Sequence, residues 1–194
     1  MNSGGRYEGN EVPDGINPIV GVRAWRVQQT LRKEDRLFSV YKSGINWPIG
    51  RKLEAQCVQP SSVWAGLRGA TPNMFTMALA KVAGDPSKDL PAHQAPYDEC
   101  SCGIYALNSS LMENEVKPWQ ISAIIGIVLL WGRILEGDRG YRAQYAKVVA
   151  LWMDTEDAER ADLITQMAEM YKVPVILDLP GELDRQKNLQ GGMR

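Results

Sequence analysis

Charge of one sign is what this chain lacks first: 22 Lys and Arg face 23 Asp and Glu, for a formal net charge of −1. That balance removes any bulk electrostatic argument for nucleic acid or an anionic membrane and leaves only a local basic patch. Cysteine is scarce and odd in number, three in 194 residues, and histidine occurs once. Three cysteines without a secretion signal argue against a disulfide framework and leave metal ligation or plain thiols. Long apolar runs are missing as well. The longest, Ala123 to Trp131, is interrupted by Gly126 and falls short of a membrane span, and the opening MNSGGRYEGN has no apolar signal core. A cytoplasmic protein without membrane contact is predicted. Neither a phosphate loop, nor a nucleophile beside a base, nor a cofactor fingerprint is present, so no residue is assigned a catalytic role and the sequence points away from an enzyme.

The remainder is ordinary globular composition, 44% hydrophobic and 23% charged. A chain of this length supports one sizeable core. Residues 1–18, rich in Gly, Ser, Asn and Pro, predict a flexible arm. Residues 19–178 predict a single β-rich domain with an insertion at about 60–99, and residues 179–194 a loose tail. Strands are predicted in GVRAWRVQQT, LFSVYKS, RKLEAQCV and CSCGIYAL, the first three in antiparallel order. In GVRAWRVQQT, Val22, Ala24 and Arg26 share one face, with Arg23, Trp25 and Val27 on the other. Within the insertion, Thr71 as cap, Pro72 in the first turn and Gly84 beyond the end predict a short helix. A second helix is predicted after Thr155, its buried stripe formed by Ala161, Ile164, Ala168 and Tyr171, flanked by Leu163 and Met167, and its end set by Lys172. Pro174 makes the following Val173–Leu177 an edge strand.

The chain is organised around 121–153, two apolar strands folded back at Gly137-Asp138-Arg139-Gly140. A two-residue loop at Asp138-Arg139 predicts the pairs Gly137–Gly140, Glu136–Tyr141, Leu135–Arg142, Ile134–Ala143, Arg133–Gln144 and Gly132–Tyr145. That register places Val128, Leu130, Gly132 and Ile134 on a core face with Tyr141, Ala143, Tyr145 and Val149. Trp131, Arg133, Arg142 and Gln144 then fall on a mixed face, beside Leu129, Leu135, Ala146 and Val148. The fold class that follows is α+β: a mainly antiparallel twisted sheet or partly open small β-barrel, with one C-terminal helix and a short helix in the insertion.

Two groups of residues carry candidate chemistry. Cys57, His93, Cys100 and Cys102 comprise every cysteine and the sole histidine. Thiolates and a neutral imidazole suit tetrahedral zinc, and four protein ligands would close the shell and make the ion structural. The bland alternative is three reduced thiols, two of them filling strand positions, with His93 on a mobile loop. The second group is Trp131, Arg133, Arg142 and Gln144, where guanidinium groups beside an indole could hold a nucleic acid, a nucleotide or a protein partner. Half-buried packing with a snorkelling cation is the competing account. A third possibility joins Arg133 and Arg142 as anion holders to Glu136 as acid or base, in an enzyme or sensor for a small anionic metabolite.

The set GVRAWRV, LEAQC, HQAP before CSCGIYAL, and GIVLLWGRILEGDRGYRAQYA resembles an uncharacterised family of small actinobacterial and phage proteins, over about residues 20–176. The resemblance brings no activity. It implies that Cys57, His93, Cys100 and Cys102 form one pattern, that Trp131, Arg133, Gly140, Tyr141, Arg142 and Ala143 form another, and that 60–90 is inserted. The chain departs from the family at Glu136-Gly137, where a histidine often follows the glutamate. The expected function is a non-enzymatic binding or adaptor domain with a zinc-pinned loop. The alternatives are the metabolite enzyme or sensor and a phage or defence-system interaction module.

Overall fold

Strand β6 (Gly140–Trp152) is the hub of the sheet, because its thirteen residues pair with four other strands. The computed structural model describes residues 12–13, 16–40, 45–57, 93–108, 123–155 and 158–191. Along one edge of β6 lie β4 (Ile104–Leu107), β3 (Leu53–Glu54) and, in parallel, β7 (Val175–Ile176). Its other edge pairs with β5 (Ile124–Gly137) through the Asp138-Arg139 turn. Strand β1 (Ile19–Gln29) pairs with both β5 and β4, so β1, β4, β6 and β5 return on themselves, and β2 (Asp35–Ser39) flanks β1. The architecture is therefore α+β, a mostly antiparallel sheet with two helices among the described residues. No described helix is long and apolar enough to cross a membrane. The expected N-terminal arm to residue 11 and the Thr71–Gly84 helix lie outside the described residues.

The turn and the first four hairpin pairs follow the predicted register, from Gly137↔Gly140 to Ile134↔Ala143. Beyond them the expected Arg133–Gln144 and Gly132–Tyr145 pairs are replaced, since Trp131 faces Tyr145 and both Gly132 and Arg133 oppose Gln144. The cause is a β-bulge. Gly132 takes φ +80°, and a Cβ there would meet Gln144 Oε1 at 2.7 Å and the Tyr145 ring at 2.8 Å. Only glycine fits, and the extra residue exchanges the faces beyond it. A second irregularity between Ile127 and Val128 leaves Val149 unopposed. As a result Ala146 and Val148, expected on the mixed face, enter the main core with Val128 and Leu130, while Val149 packs on the opposite side.

The sheet has two apolar faces, and each receives one helix. Helix α1 (Ala158–Tyr171) buries the predicted Ile164, Met167, Ala168 and Tyr171 against Trp25, Leu37, Trp47 and Leu151. It ends in a Schellman arrangement: Lys172 sits at φ 55°, its N–H donates to Glu169 O, and the Val173 N–H donates to Ala168 O. The segment expected to be a loose tail is instead helix α2 (Leu179–Gly191). Asp178 Oδ1 caps it by accepting the Gly181 N–H at 3.0 Å, and Leu179 and Leu183 bury against Val20, Val22, Ile125 and Ile127. Strand β3 also departs from expectation. It pairs with β6 and has no partner in β2, because β1 takes one edge of β2 and the Ile45–Trp47 segment takes the other, with Ser39 N–H donating to Ile45 O and Trp47 N–H to Leu37 O.

Candidate metal centre

Three separate pieces of chain deliver the four candidate ligands. Cys57 follows β3, whose pairing to β6 is prolonged by the Ala55 N–H donating to Gln144 O at 2.7 Å. His93 opens the turn that leads to Cys100, and Cys102 stands two residues before β4. The four ligand atoms lie within 4.8 Å of one another, with Cys57 Sγ to Cys100 Sγ at 3.7 Å and Cys102 Sγ to His93 Nε2 at 3.5 Å. A tetrahedral shell with Zn–S of about 2.3 Å and Zn–N of about 2.0 Å requires S···S near ~3.8 Å and S···N near ~3.5 Å. The Cys57–Cys100 and Cys102–His93 edges match that tetrahedron, so the donor set fits a metal ion in size and chemistry. All three cysteines are free thiols.

Electrostatics explain what an ion would supply here. Burial, reinforced by the neighbouring Cys100 and Cys102, pushes the Cys57 thiol up to about 12. Burial and the Cys100 hydrogen bond likewise raise Cys102. Burial also pushes Cys100 upward, but the Cys102 backbone N–H and the hydrogen bonds from Cys102, Cys57 and His93 outweigh it, and its thiol falls below the ordinary range. Three thiolates at this spacing repel one another, and a divalent cation is the partner that lets them ionise together.

The loop is held from below by β6. Arg142 donates from Nη1 to the Cys100 carbonyl and, at 3.3 Å, to the Tyr97 carbonyl. Tyr97 stacks on His93 with ring centroids 4.5 Å apart, and the Tyr105 hydroxyl donates to Ser101 O at 3.0 Å. Gly103, at φ +119°, lets the chain turn where a Cβ would meet Pro96 at 3.0 Å and Arg142 at 3.2 Å. Tyr97 and Gly103 were not singled out by sequence. The signals were present: an aromatic four residues after the histidine, and a glycine directly after the Cys-Ser-Cys.

The second candidate group does not form one open face. Trp131 is 2% exposed and packs on Tyr145, and Gln144 is 8% exposed, accepting the Arg133 N–H and donating to the Tyr145 hydroxyl. Arg142 is hydrogen-bonded to the Cys100 loop. Arg133 is exposed and pairs with Asp98 at 3.3 Å. The bulge accounts for the buried half of the group, since it sets Trp131 against Tyr145, whereas Arg133 and Arg142 both lie against Tyr97.

Beside the metal loop lies a cavity of ≈ 680 Å³, within the size range of small-molecule sites. It opens at the seam between β1 and β4, which holds a single register pair, Val22↔Leu107. Buried Arg23 bridges the gap by donating to the Tyr105 carbonyl and, at 2.7 Å, to Ser39 Oγ, with its guanidinium 5.0 Å from the Trp47 ring. The walls are largely apolar, with charged groups from Arg23, Glu136, Asp138, Arg139 and Arg142 and with Ser101 and Tyr141 among the hydroxyls. Burial and the nearby Glu136 carboxylate hold the Tyr141 hydroxyl above its usual range. No known family model matches the chain, and neither curated proteins nor solved structures give a match.

Proposed function

We propose that this chain is a non-catalytic, zinc-stapled binding domain whose ligand is a small organic anion with an apolar body, held in the cavity beside the metal loop. Arg142 is the observation that carries the reading: one guanidinium both lines the cavity and grips the Cys100 carbonyl. Metal binding and ligand binding thereby share a wall. Zinc is favoured by three thiols and one imidazole gathered within 4.8 Å of one another, and four protein ligands leave no open position for a reacting water. The lining favours an anion because Arg23, Arg139 and Arg142 outnumber Glu136 and Asp138. Of the residues once grouped for metabolite binding, Arg142 and Glu136 belong to this cavity and Arg133 does not. We read the closed ring of strands as a partly open small barrel, and the reduced thiols suit a cytoplasmic setting. A sheet face recognising nucleic acid, a nucleotide or a protein has less support, since its stacking ring Trp131 is buried.

The test has two arms. Elemental analysis of protein purified without added metal is expected to give one zinc per chain, lost in Cys100→Ser. Ligand-detected NMR with benzoate and octanoate is expected to show saturable binding to the zinc-loaded protein, abolished by Leu135→Trp, which enlarges a cavity-lining side chain that is none of the four ligands and is expected to leave zinc stoichiometry unchanged. Absence of zinc sinks the staple. Equal binding by Leu135→Trp, or none by wild type, sinks the anion site.

A further inference from the structure

The three sulfurs of the cluster are not equivalent. Cys57 and Cys100 are half-buried and 3.7 Å apart, whereas Cys102 is 2% exposed and its Sγ faces His93 Nε2. The close pair comes from segments 43 residues apart in sequence, one after β3 and the other before β4. A Cys100–Cys102 bond would instead close a small ring across one intervening serine.

We propose that the metal centre is a peroxide-responsive switch in which Cys57 and Cys100 join as a disulfide and expel the zinc ion. This rests on the zinc assignment above. One of the two thiolates attacks a peroxide oxygen, the O–O bond breaks, and a sulfenic acid and one water form once the leaving oxygen takes a proton. The other thiolate attacks that sulfur, the S–O bond breaks, and a second water leaves as the S–S bond forms. The two sulfurs lose two electrons in total and the peroxide gains them. A dithiol reductant reverses the change by thiol–disulfide exchange. After oxidation only Cys102 and His93 remain as ligands, half of the tetrahedral set.

The consequence reaches the cavity. A disulfide brings the sulfurs to about 2.05 Å, which draws the Cys100 segment toward Cys57. The Cys100 carbonyl is an acceptor for Arg142, and Ser101 and Gly103 are part of the cavity wall, so oxidation alters the proposed ligand site together with the metal site.

The experiment treats zinc-loaded, full-length protein with hydrogen peroxide while a chromophoric chelator reports released zinc and peptide mass mapping reports sulfur state. The expected result is one zinc released and one Cys57–Cys100 disulfide formed per chain, with both reversed by dithiothreitol and added zinc. Cys102→Ser, which keeps the reacting pair, should still form the disulfide. Cys57→Ser should form none. A Cys100–Cys102 bond, or zinc release with only sulfinic and sulfonic products, overturns the switch and leaves the staple standing. Protein that is isolated without zinc overturns both, before any peroxide is added.

Discussion

The two corners of the sheet are closed by different physics. At the α1 corner, Trp25, Leu37, Trp47 and Tyr171 are each at most 2% exposed, and Trp25 meets Trp47 edge to face at 5.3 Å. The Tyr171 hydroxyl donates to Trp47 O at 2.8 Å and accepts the Leu37 N–H at 3.0 Å. At the Cys100 corner no described helix covers the strand ends, and the loop carries half-buried thiols, a histidine and a guanidinium. Apolar area stabilises the first corner, whereas ligand bonds to a metal would stabilise the second. A loop with little to bury can be ordered by a few strong directional bonds, and that is where soft ligands have most to contribute.

That contrast can be broken experimentally. The largest effect should come from chelation or Cys100→Ser: stability falls by on the order of 5 kcal/mol or more, while the near-ultraviolet dichroism of the Trp25–Trp47 pair survives in any folded remainder. Acid should act in the same way. Cys57, pushed up to about 12, and Cys102, also raised, must each lose a proton to bind metal. Apparent affinity should therefore drop by at least about 100-fold per pH unit on acidification, for at least two protons displaced, as competition titrations between pH 8 and pH 6 would show. A slope near zero would mean that these thiols are not ligands.

Trp47→Ala tests the opposite corner and should cost about 3–5 kcal/mol in denaturant unfolding with metal stoichiometry unchanged. Loss of metal in that variant would show that the corners are coupled. Gly132→Ala should cost about 1–3 kcal/mol, because a Cβ at φ +80° collides with Gln144 and Tyr145. Smallest of all, Arg133→Ala removes an exposed pair with Asp98 and should change stability by less than about 0.5 kcal/mol. A larger loss would give Arg133 a role that its geometry does not suggest.

The Cys/His cluster was legible because its residue types are so few: the only histidine and all the cysteines admit one obvious grouping. The hairpin turn was legible from its flanking glycines, and the α1 stripe from its spacing. Gly132 was not, since alternation counts residues and cannot register a glycine that adds one to a strand. Its effect spread to Ala146 and Val148, which joined the core, and to Trp131, which left the surface group proposed for it. Helix α2 escaped for a related reason. Asp178 and the Leu179, Leu183 pair were its whole signal, and two buried leucines make too short a stripe to stand out in a polar tail.

Local chemistry determined the turn, the caps and the ligand types, because each depends on a side chain and its near neighbours in the chain. Which strands share an edge of β6, which face a residue occupies beyond the bulge, and that Arg142 reaches the Cys100 carbonyl were decided only in three dimensions. Those outcomes depend on backbone positions far apart in sequence, where one added residue in a strand moves every side chain after it to the other face.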